Sequence, residues 1–327
     1  MIKTRLTSQF DLEHPIVCAP MALATGGALA SAVTNAGGMG VLGGGYAGTL
    51  GGEPDLDEEK RKAGNARIGI GFITWALEKA PHWCDWALEQ EPSCLFLSFG
   101  DPAPFARRAL EWNIPVICQT QSLEHVARAV DSGAHVIVAQ GTEAGGHGAS
   151  RSTMPFVPEV ADYLAKHAPD VLLLAAGGIA DGRGLAASLM LGADGVLIGS
   201  RFWASAEALS PGEAIRRAIA SSGDQTVRTT AVDALRGVPW PEPYSFRMLQ
   251  NAFTDQWAHR EDEAKTQIGA FKDTYDKARE EGDFDTVVSV VGEVTGLIED
   301  RPPAADIVRR IAEEAEALLK NAPSLLA

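Results

Sequence analysis

The chain is short of positive charge. Its 327 residues include 28 lysines and arginines against 43 aspartates and glutamates, so the formal net charge is −15 at pH 7. Nucleic acids and anionic membrane surfaces are bound through a basic face that neutralises phosphates. We therefore expect neither of these partners, and we expect a small-molecule substrate instead.

Cysteine is scarce and follows no recognisable pattern. Cys18, Cys84, Cys94 and Cys118 form no CxxC pair, and no group of cysteines and histidines has the spacing of a zinc site. Thiols without such a pattern are typical of reduced, mostly buried residues. We expect a cytoplasmic protein without disulfides and without a bound metal.

Long apolar runs are also lacking. No run approaches the roughly 20 residues that span a bilayer. The first ten residues carry charges without the apolar centre of a secretory signal. With a hydrophobic share of 46%, the composition predicts a globular protein that does not enter a membrane.

The chain does contain eight short, almost continuously apolar runs, each followed by a segment of helical character. Uninterrupted apolar runs are typical of parallel strands covered on both faces by helices, so they predict an α/β fold, a (β/α)8 TIM barrel. A doubly wound open sheet is the alternative, but no GxGxxG element follows the first strand. The eight runs are Pro15 to Met21, Met39 to Leu42, Ala66 to Thr74, Cys94 to Phe99, Ile114 to Gln119, Ala134 to Gln140, Val171 to Ala176 and Ala193 to Gly199.

The pattern changes after Phe202. We expect residues 1–202 and a final helix within residues 301–327 to form the barrel. Residues 203–300 are expected to form a mainly helical cap over the barrel mouth. The amphipathic segment Asp306 to Leu319 predicts that the final helix returns to the barrel wall.

Within the expected cap, Phe246 to Tyr275 has charged and aromatic residues at helical spacing, whereas Thr226 to Val238 has an irregular or extended pattern. Several aromatic residues either line a substrate pocket or pack between cap and barrel, and the sequence does not decide which. They are Trp75, Trp240, Tyr244, Phe253 and Trp257.

Glycines stand where the last two predicted strands end. Gly177 and Gly178 follow the seventh strand, and Gly199 with Ser200 follows the eighth. Glycine lets backbone N–H groups approach an anion closely, and barrels often bind a phosphate after strands seven and eight. These positions predict the phosphate site of a nucleotide-like cofactor.

The loop after the sixth predicted strand, residues 140–150, contains four glycines, one carboxylate and one histidine. His147 has glycine on both sides and lies at the carboxyl end of a strand, where barrel active sites are found. Imidazole is the side chain best suited to proton transfer near neutral pH. We predict that His147 is the catalytic acid or base, and that the other six histidines have structural or solvent roles.

Five motifs together resemble the nitronate monooxygenase family, formerly called 2-nitropropane dioxygenases. Their order and spacing match the family, strongly over residues 10–205 and loosely beyond. The resemblance implies a TIM barrel that binds FMN. The motifs are Ala19-Pro20-Met21, Ala36-Gly37-Gly38-Met39-Gly40, Glu143-Ala144-Gly145-Gly146-His147, Ala176-Gly177-Gly178-Ile179-Ala180-Asp181-Gly182 and Gly199-Ser200-Arg201-Phe202.

The resemblance also implies where FMN is held. Its phosphate would lie at Gly177, Gly178, Gly199 and Ser200, and its ring would face His147. The ring would lie over the end of the first strand, at Ala19, Pro20 and Met21. The remaining expected contacts are Gln119 and Gln140, to the ring or the ribityl chain, then Phe72 and Thr74 after the third strand, and Ala144, Gly145 and Gly146 beside the histidine.

Members of the family oxidise alkyl nitronates with dioxygen to a carbonyl compound and nitrite, and the resemblance implies this activity. Relatives on the same scaffold are reductases that take electrons from NADH or NADPH and pass them to a quinone or to an enoyl-acyl-carrier protein. This second activity stays open. The physiological substrate is not indicated, and a homodimer is an open expectation.

Three other interpretations fit less well. An inosine-monophosphate dehydrogenase needs a nucleophilic cysteine after strand six, and residues 143–150 contain none. A barrel for a phosphorylated sugar leaves Ala19-Pro20-Met21 and Gln119 unexplained. A flavin carrier without turnover has no need of an acid or base at His147.

Overall fold

The computed structural model describes residues 1–49 and 53–326. Eight parallel strands form the barrel that the apolar runs predict, and every residue of these strands except Gln119 is buried. The barrel strands are β1 (Ile16–Cys18), β2 (Val41–Gly43), β3 (Gly69–Ile73), β4 (Leu95–Ser98), β5 (Val116–Thr120), β6 (Val136–Gln140), β8 (Leu172–Ala176) and β9 (Gly195–Ile198).

The strands pair in the order β1-β9-β8-β6-β5-β4-β3-β2. A parallel bridge between Val17 and Met39 joins the first strand to the last, so the sheet closes on itself. Cys18 donates its N–H to the carbonyl of Met39, and Met39 donates its N–H to Ile16, each over 2.9 Å. The closed sheet confirms the predicted (β/α)8 fold.

Alternate residues of each strand face two different apolar layers. Val17, Phe96 and Leu174 belong to the cluster inside the barrel, where Leu6 of the first helix also packs. Their strand neighbours, such as Leu95 and Leu173, pack in the cluster that contains the surrounding helices. Both faces of the sheet are therefore buried away from solvent, which explains why the strands are uninterrupted apolar runs.

Helices surround the barrel and cover its mouth. The first of them begins at Arg5 with Thr4 as its N-cap, in a segment for which the sequence indicated no helix. The α-helices are α1 (Arg5–Phe10), α2 (Gly27–Asn35), α3 (Leu56–Lys62), α4 (Thr74–Leu77), α5 (His82–Glu89), α6 (Ala103–Glu111), α7 (Leu123–Asp131), α8 (Thr153–His167), α9 (Gly182–Met190), α10 (Ser200–Trp203), α11 (Gly212–Ile219), α12 (Ala231–Arg236), α13 (Ala252–Trp257), α14 (Glu261–Ala264), α15 (Ile268–Glu281) and α16 (Ala304–Asn321).

The final helix α16 packs against α2 and α9 and so closes the ring of helices, as its amphipathic pattern predicts. Gly182 permits this close approach, since a Cβ there would lie 2.4 Å from the backbone nitrogen of Ala315. The N–H of Gly182 also donates to the carboxylate of Glu314 over 2.8 Å. None of the helices within the described ranges is long and apolar enough to cross a membrane.

Residues 203–300 contain strands as well as helices. Strands β10 (Thr226–Thr229) and β11 (Ser245–Leu249) are antiparallel, and β11 pairs on its other side with β7 (Gly146–Gly148) of the histidine loop. The helical interpretation of Phe246 to Tyr275 is therefore wrong over its first four residues, and Thr226 to Val238 contains both β10 and α12. Short 3₁₀ turns complete the region at Gly223–Gln225 and Glu293–Leu297, with another at Ala322–Leu326 near the C-terminus. The division into a barrel and a separate cap stays a prediction.

Candidate active site

A cavity of about 640 Å³ opens at the carboxyl ends of the barrel strands, beneath residues 203–300. This volume lies within the range of pockets that bury small organic ligands, about 300–1,000 Å³. Every site residue predicted from the sequence lines it, except Thr74. The predicted residues on its wall are Ala19, Pro20, Met21, Phe72, Gln119, Gln140, Ala144, Gly145, Gly146, His147, Gly177, Gly178, Gly199 and Ser200.

Thr74 lies elsewhere. Strand β3 ends at Ile73, and Thr74 is the first residue of α4. Its side chain is buried beside a cleft of about 20 Å³, and a Cβ on Gly100 would lie 3.0 Å from the Cβ of Thr74. Thr74 is therefore not on the wall of the large cavity, because the chain has already turned into a helix at this residue, and the expected cofactor contact from Thr74 stays a prediction.

The segment Ala19-Pro20-Met21 lies across the barrel mouth because its neighbours lack side chains. A Cβ on Gly43 would come within 2.5 Å of the carbonyl oxygen of Met21, and one on Gly71 within 2.7 Å of the Cβ of Pro20. The hydroxyl of Thr25 donates to the carbonyl of Ala19 over 2.8 Å. Glycine at the end of β2 and in the middle of β3 thus leaves room for this segment to form one wall of the cavity.

The glycines after β8 and β9 form a backbone cradle that is open at Gly178 and Gly199. Gly177 and Gly178 have φ values of +101° and +73°, a left-handed region that favours glycine. A Cβ on Gly178 would meet nothing closer than the Cβ of Glu143 at 3.4 Å. Ser200 accepts a hydrogen bond from the N–H of Gly292 over 2.9 Å, which leaves its own hydroxyl proton to donate. Such a cradle suits an anionic group.

Two glutamine side chains differ in what they offer the cavity. The amide of Gln140 donates to the backbone carbonyl of His147 over 3.0 Å and accepts from Gln121 over 2.8 Å. Gln119 is half-buried on the cavity wall, and its side chain makes no hydrogen bond to any residue the structure describes. Gln140 therefore supports the histidine loop, whereas the amide of Gln119 is available to a ligand.

His147 is held in one orientation by its surroundings. Its Nε2 lies 2.8 Å from Oδ2 of Asp233, a buried residue of α12. The indole of Trp240 stacks on the imidazole with 3.3 Å between ring centres and 12° between planes. Phe246, its register partner on β11, packs edge-on with a centroid distance of 4.7 Å. The ring is thus fixed at one edge and covered on one face.

Burial lowers the pKa of His147, and the carboxylate of Asp233 offsets only part of that shift. The charges of Arg236 and Arg228 lower this pKa further. The imidazole is therefore neutral at pH 7. With its Nε2–H donated to the carboxylate, the lone pair lies on Nδ1, which makes no hydrogen bond within the described residues. A neutral imidazole with a free lone pair is a base for a molecule in the cavity.

Two arginines hold the backbone of the histidine loop. Arg228 of β10 donates to the carbonyls of Thr142 and Ala144 over 3.0 and 2.9 Å, and to Ser245 over 2.6 Å. Arg247 of β11 donates to Thr142 over 2.9 Å. Burial lowers the pKa of Arg228 to about 10, so it remains charged at pH 7. The loop thus takes its shape from side chains that lie 84 to 105 residues further along the chain.

Two further cations line the cavity itself, Arg236 and Arg279. The guanidinium of Arg236 lies 5.5 Å over the ring of Tyr275 and has no carboxylate partner in the part of the chain that the structure describes. Arg279 pairs loosely with Asp276, over 3.7 Å. The wall formed by α12 and α15 therefore favours an anion.

Sequence reasoning missed Asp233, Arg228 and Arg236, because a single charged residue in a short segment carries no local signal. The aromatic residues divide between the two interpretations that the sequence left open. Trp240 lines the cavity, and Tyr244 lines the small cleft beside Thr74. Phe253 and Trp257 pack in an apolar cluster, and Trp75 is in edge contact with Trp240.

Comparisons with known proteins agree with this site. The sequence model of the nitronate monooxygenase family matches residues 3–63 and 82–314. Nitronate monooxygenase npaC of Metarhizium robertsii is 36% identical, over 94% of this chain and 92% of that protein. A nitronate monooxygenase of Neurospora crassa is 32% identical, over 97% and 94%. The solved structure of FabK from Thermotoga maritima has a TM-score of 0.85 and 28% identity, over 99% of this chain and 100% of that one.

The family match covers most of the chain, and the alignments with the two relatives cover nearly the whole length of each protein. Four of the five motifs that carry the resemblance in the sequence place residues on the wall of one cavity, whereas Ala36-Gly37-Gly38-Met39-Gly40 does not reach it. The protein is therefore an oxidoreductase that belongs to the nitronate monooxygenase family.

Proposed function

We propose that the protein is an FMN-dependent enzyme that oxidises alkyl nitronates with dioxygen to a carbonyl compound and nitrite. The observation that carries the proposal is the position of His147, a neutral buried imidazole on the wall of the same cavity as the glycine cradle. Family membership and the curated relatives support the same activity.

The cavity residues fit FMN. The backbone cradle of Gly177, Gly178 and Gly199, open at Gly178 and Gly199, would bind the phosphate together with the free hydroxyl proton of Ser200. The unpaired amide of Gln119 would meet a polar edge of the ring, and residues 19–21 would lie under it. Once bound there, FMN would supply the electron acceptor for substrate oxidation.

The cations of the cavity suit a nitronate, which is an anion. Arg236 and Arg279 raise the local electrostatic potential on the side formed by α12 and α15. The imidazole of His147 can take a proton from the carbon of a neutral nitroalkane at Nδ1, and the same nitrogen, once protonated, can donate to a nitro oxygen. The pocket therefore accommodates the substrate in either protonation state.

The test is turnover of propyl-2-nitronate by wild-type protein and by His147→Asn. We expect the wild type to form nitrite as dioxygen is consumed. His147→Asn should keep the bound-flavin absorbance, but its flavin should be reduced about 10²–10⁴ times more slowly by neutral 2-nitropropane, whose carbon proton a base must remove, and this factor is the usual contribution of a positioned acid or base.

His259→Asn is the matched control, since His259 is exposed on the cap, and it should behave as wild type. Unchanged flavin reduction in His147→Asn would refute the role of His147. Wild-type protein that consumes no dioxygen with the nitronate, but reduces a quinone with NADH or NADPH, would support the reductase activity instead.

A further inference from the structure

Asp233 is the carboxylate closest to His147 and comes from a distant part of the chain. It lies on α12, 86 residues after the histidine, and joins Nε2 of the ring over 2.8 Å. Its side chain is only 5% exposed. Its second oxygen, Oδ1, is buried without a hydrogen-bond partner among the described residues.

Burial of a charged carboxylate is unfavourable unless interactions with its charge offset the loss of hydration. A buried carboxylate normally pairs with a cation or accepts several hydrogen bonds. In the part of the chain that the structure describes, Asp233 forms no ion pair with a lysine or arginine, and this includes Arg236 of the same helix. A neutral amide would link α12 to His147 equally well, so a purely structural link does not explain the charge.

The charged groups around His147 act in opposite directions. Arg236 on α12 and Arg228 on β10 both disfavour a protonated imidazole, as does burial. From the side of β2, Tyr46 presents a phenol whose pKa is raised by burial, so it stays neutral. Its hydroxyl accepts the indole N–H of Trp240 over 3.0 Å. Among these groups, only Asp233 favours a proton on His147.

We propose that Asp233 is a positioning residue that keeps a proton on Nε2 of His147 and so reserves Nδ1 for the substrate. The carboxylate accepts the Nε2–H, which excludes the other neutral tautomer. It also stabilises the imidazolium that forms when Nδ1 takes up a proton. The stacked indole of Trp240 then prevents the ring from tilting away.

This inference rests on the role of His147 in the proposed function, but its first test does not depend on turnover. Protein labelled with ¹⁵N-histidine reports the tautomer and the titration of each imidazole, and His147→Asn identifies the signal of His147. We expect the Nε2–H tautomer in the holoenzyme of the wild type. In Asp233→Asn we expect a mixture of tautomers and a pKa lower by about one to three units, because an opposite charge in contact has been removed.

Asp255→Asn is the matched control, because Asp255 is exposed on α13 and its side chain makes no hydrogen bond to any residue that the structure describes. It should leave the signal of His147 unchanged. If Asp233→Asn leaves both the tautomer and the pKa of His147 unchanged, the proposal is overturned, whether or not the protein oxidises nitronates.

The second test is the pH profile of kcat/KM with a neutral nitroalkane, which needs the unprotonated base. A lower pKa keeps the base unprotonated to lower pH, so the acid limb should move to lower pH in Asp233→Asn. The plateau should fall at least tenfold, but by less than the 10²–10⁴-fold expected for loss of the base itself.

Asp233→Glu keeps the charge and should restore the position of the limb. A lowered plateau with an unmoved limb in Asp233→Asn would mean that Asp233 only links α12 to the barrel mouth, and would overturn the proposal.

Discussion

At the scale of single residues, the glycines around the cavity serve two different purposes. Gly43 and Gly71 make room for protein, since a Cβ at either position would collide with Met21 or Pro20. Gly178 does not make room for another part of the protein, because a Cβ there would touch only the side chain of Glu143, at an ordinary van der Waals distance. The open space on Gly178 is what a ligand would fill.

We predict that Gly178→Ala weakens FMN binding about ten- to a hundredfold. The new methyl group would keep the phosphate from the backbone donors, and a hydrogen bond to a charged group contributes about 1.5–3 kcal/mol. Fluorescence titration of the apoprotein with FMN measures the dissociation constant.

The matched control is Gly64→Ala, which has the same left-handed backbone, with φ of +60° and no neighbour within 4 Å, but lies away from the cavity. Both variants should lose similar stability, because both place a side chain in the left-handed region. Equal FMN affinity in the two variants would show that Gly178 does not contact the phosphate.

Individual site residues were predictable where the signal is local. His147 and the cradle glycines follow directly after apolar strands, so their place at the barrel mouth follows from the strand count. Asp233 has no such signal, since its role in the site depends on a contact with His147, which lies 86 residues earlier in the chain. Thr74 lies at the end of the third strand as predicted, but the sequence does not reveal that α4 begins there and keeps its side chain off the wall of the large cavity.

At the scale of elements, the three-stranded sheet of β10, β11 and β7 joins the histidine loop to residues 226–249. Arg228 and Arg247 lie opposite each other on β10 and β11, and both donate to carbonyls of the loop. The loop is rich in glycine and has little side-chain packing of its own. Its shape therefore depends on these two guanidinium groups.

We predict that Arg228→Met lowers the free energy of unfolding by more than about 2 kcal/mol. Methionine fills the space but removes the guanidinium that donates to the carbonyls of Ala144 and Ser245, while Thr142 keeps its bond from Arg247, and each polar group left unpaired costs about 1–3 kcal/mol. Nitronate oxidation should also slow, because the loop carries His147. Urea denaturation measures the first effect and steady-state kinetics the second.

Arg216→Met provides the control for this variant. Its guanidinium is 71% exposed and pairs with Glu213 on the surface, where such pairs contribute little. Equal unfolding midpoints for the two variants would contradict the role given to Arg228.

Strand β11 was missed for a physical reason. In Ser245–Leu249, Phe246 and Met248 pack in an apolar cluster while Arg247 faces the loop, so the period of two is present. This alternation extends over only five residues. The next aromatic residues, Phe253 and Trp257, are four positions apart, which is a helical spacing, so the whole segment resembles a helix. The pairing with β7 is also non-local. Barrel strands were predictable because burial on both faces gives each a continuous apolar run.

At the scale of the whole molecule, charge is distributed unevenly. The chain has a formal net charge of −15, yet Arg236 and Arg279 line the cavity and Arg228 and Arg247 lie just behind it. An anionic substrate is therefore stabilised locally, inside a protein whose surface is acidic. The net charge follows from the composition alone, whereas only the fold brings these arginines together.

The barrel, the oxidoreductase activity and the family could be predicted from the sequence, because five motifs keep their order along a closed barrel. The substrate pocket could not, since α12, α15 and the segment of Trp240 supply its outer wall from the part of the chain with the weakest pattern. The cytoplasmic location and a homodimer stay predictions.

The measurement that tests the central claim most directly is anaerobic mixing of the FMN-loaded protein with one reductant at a time. Propyl-2-nitronate, NADH and NADPH are added in separate experiments, and the flavin absorbance is followed in a stopped-flow instrument. We predict rapid bleaching by the nitronate and none on the same timescale by either nicotinamide. Rapid bleaching by a nicotinamide with none by the nitronate would contradict the account and assign the protein to the reductases of this scaffold.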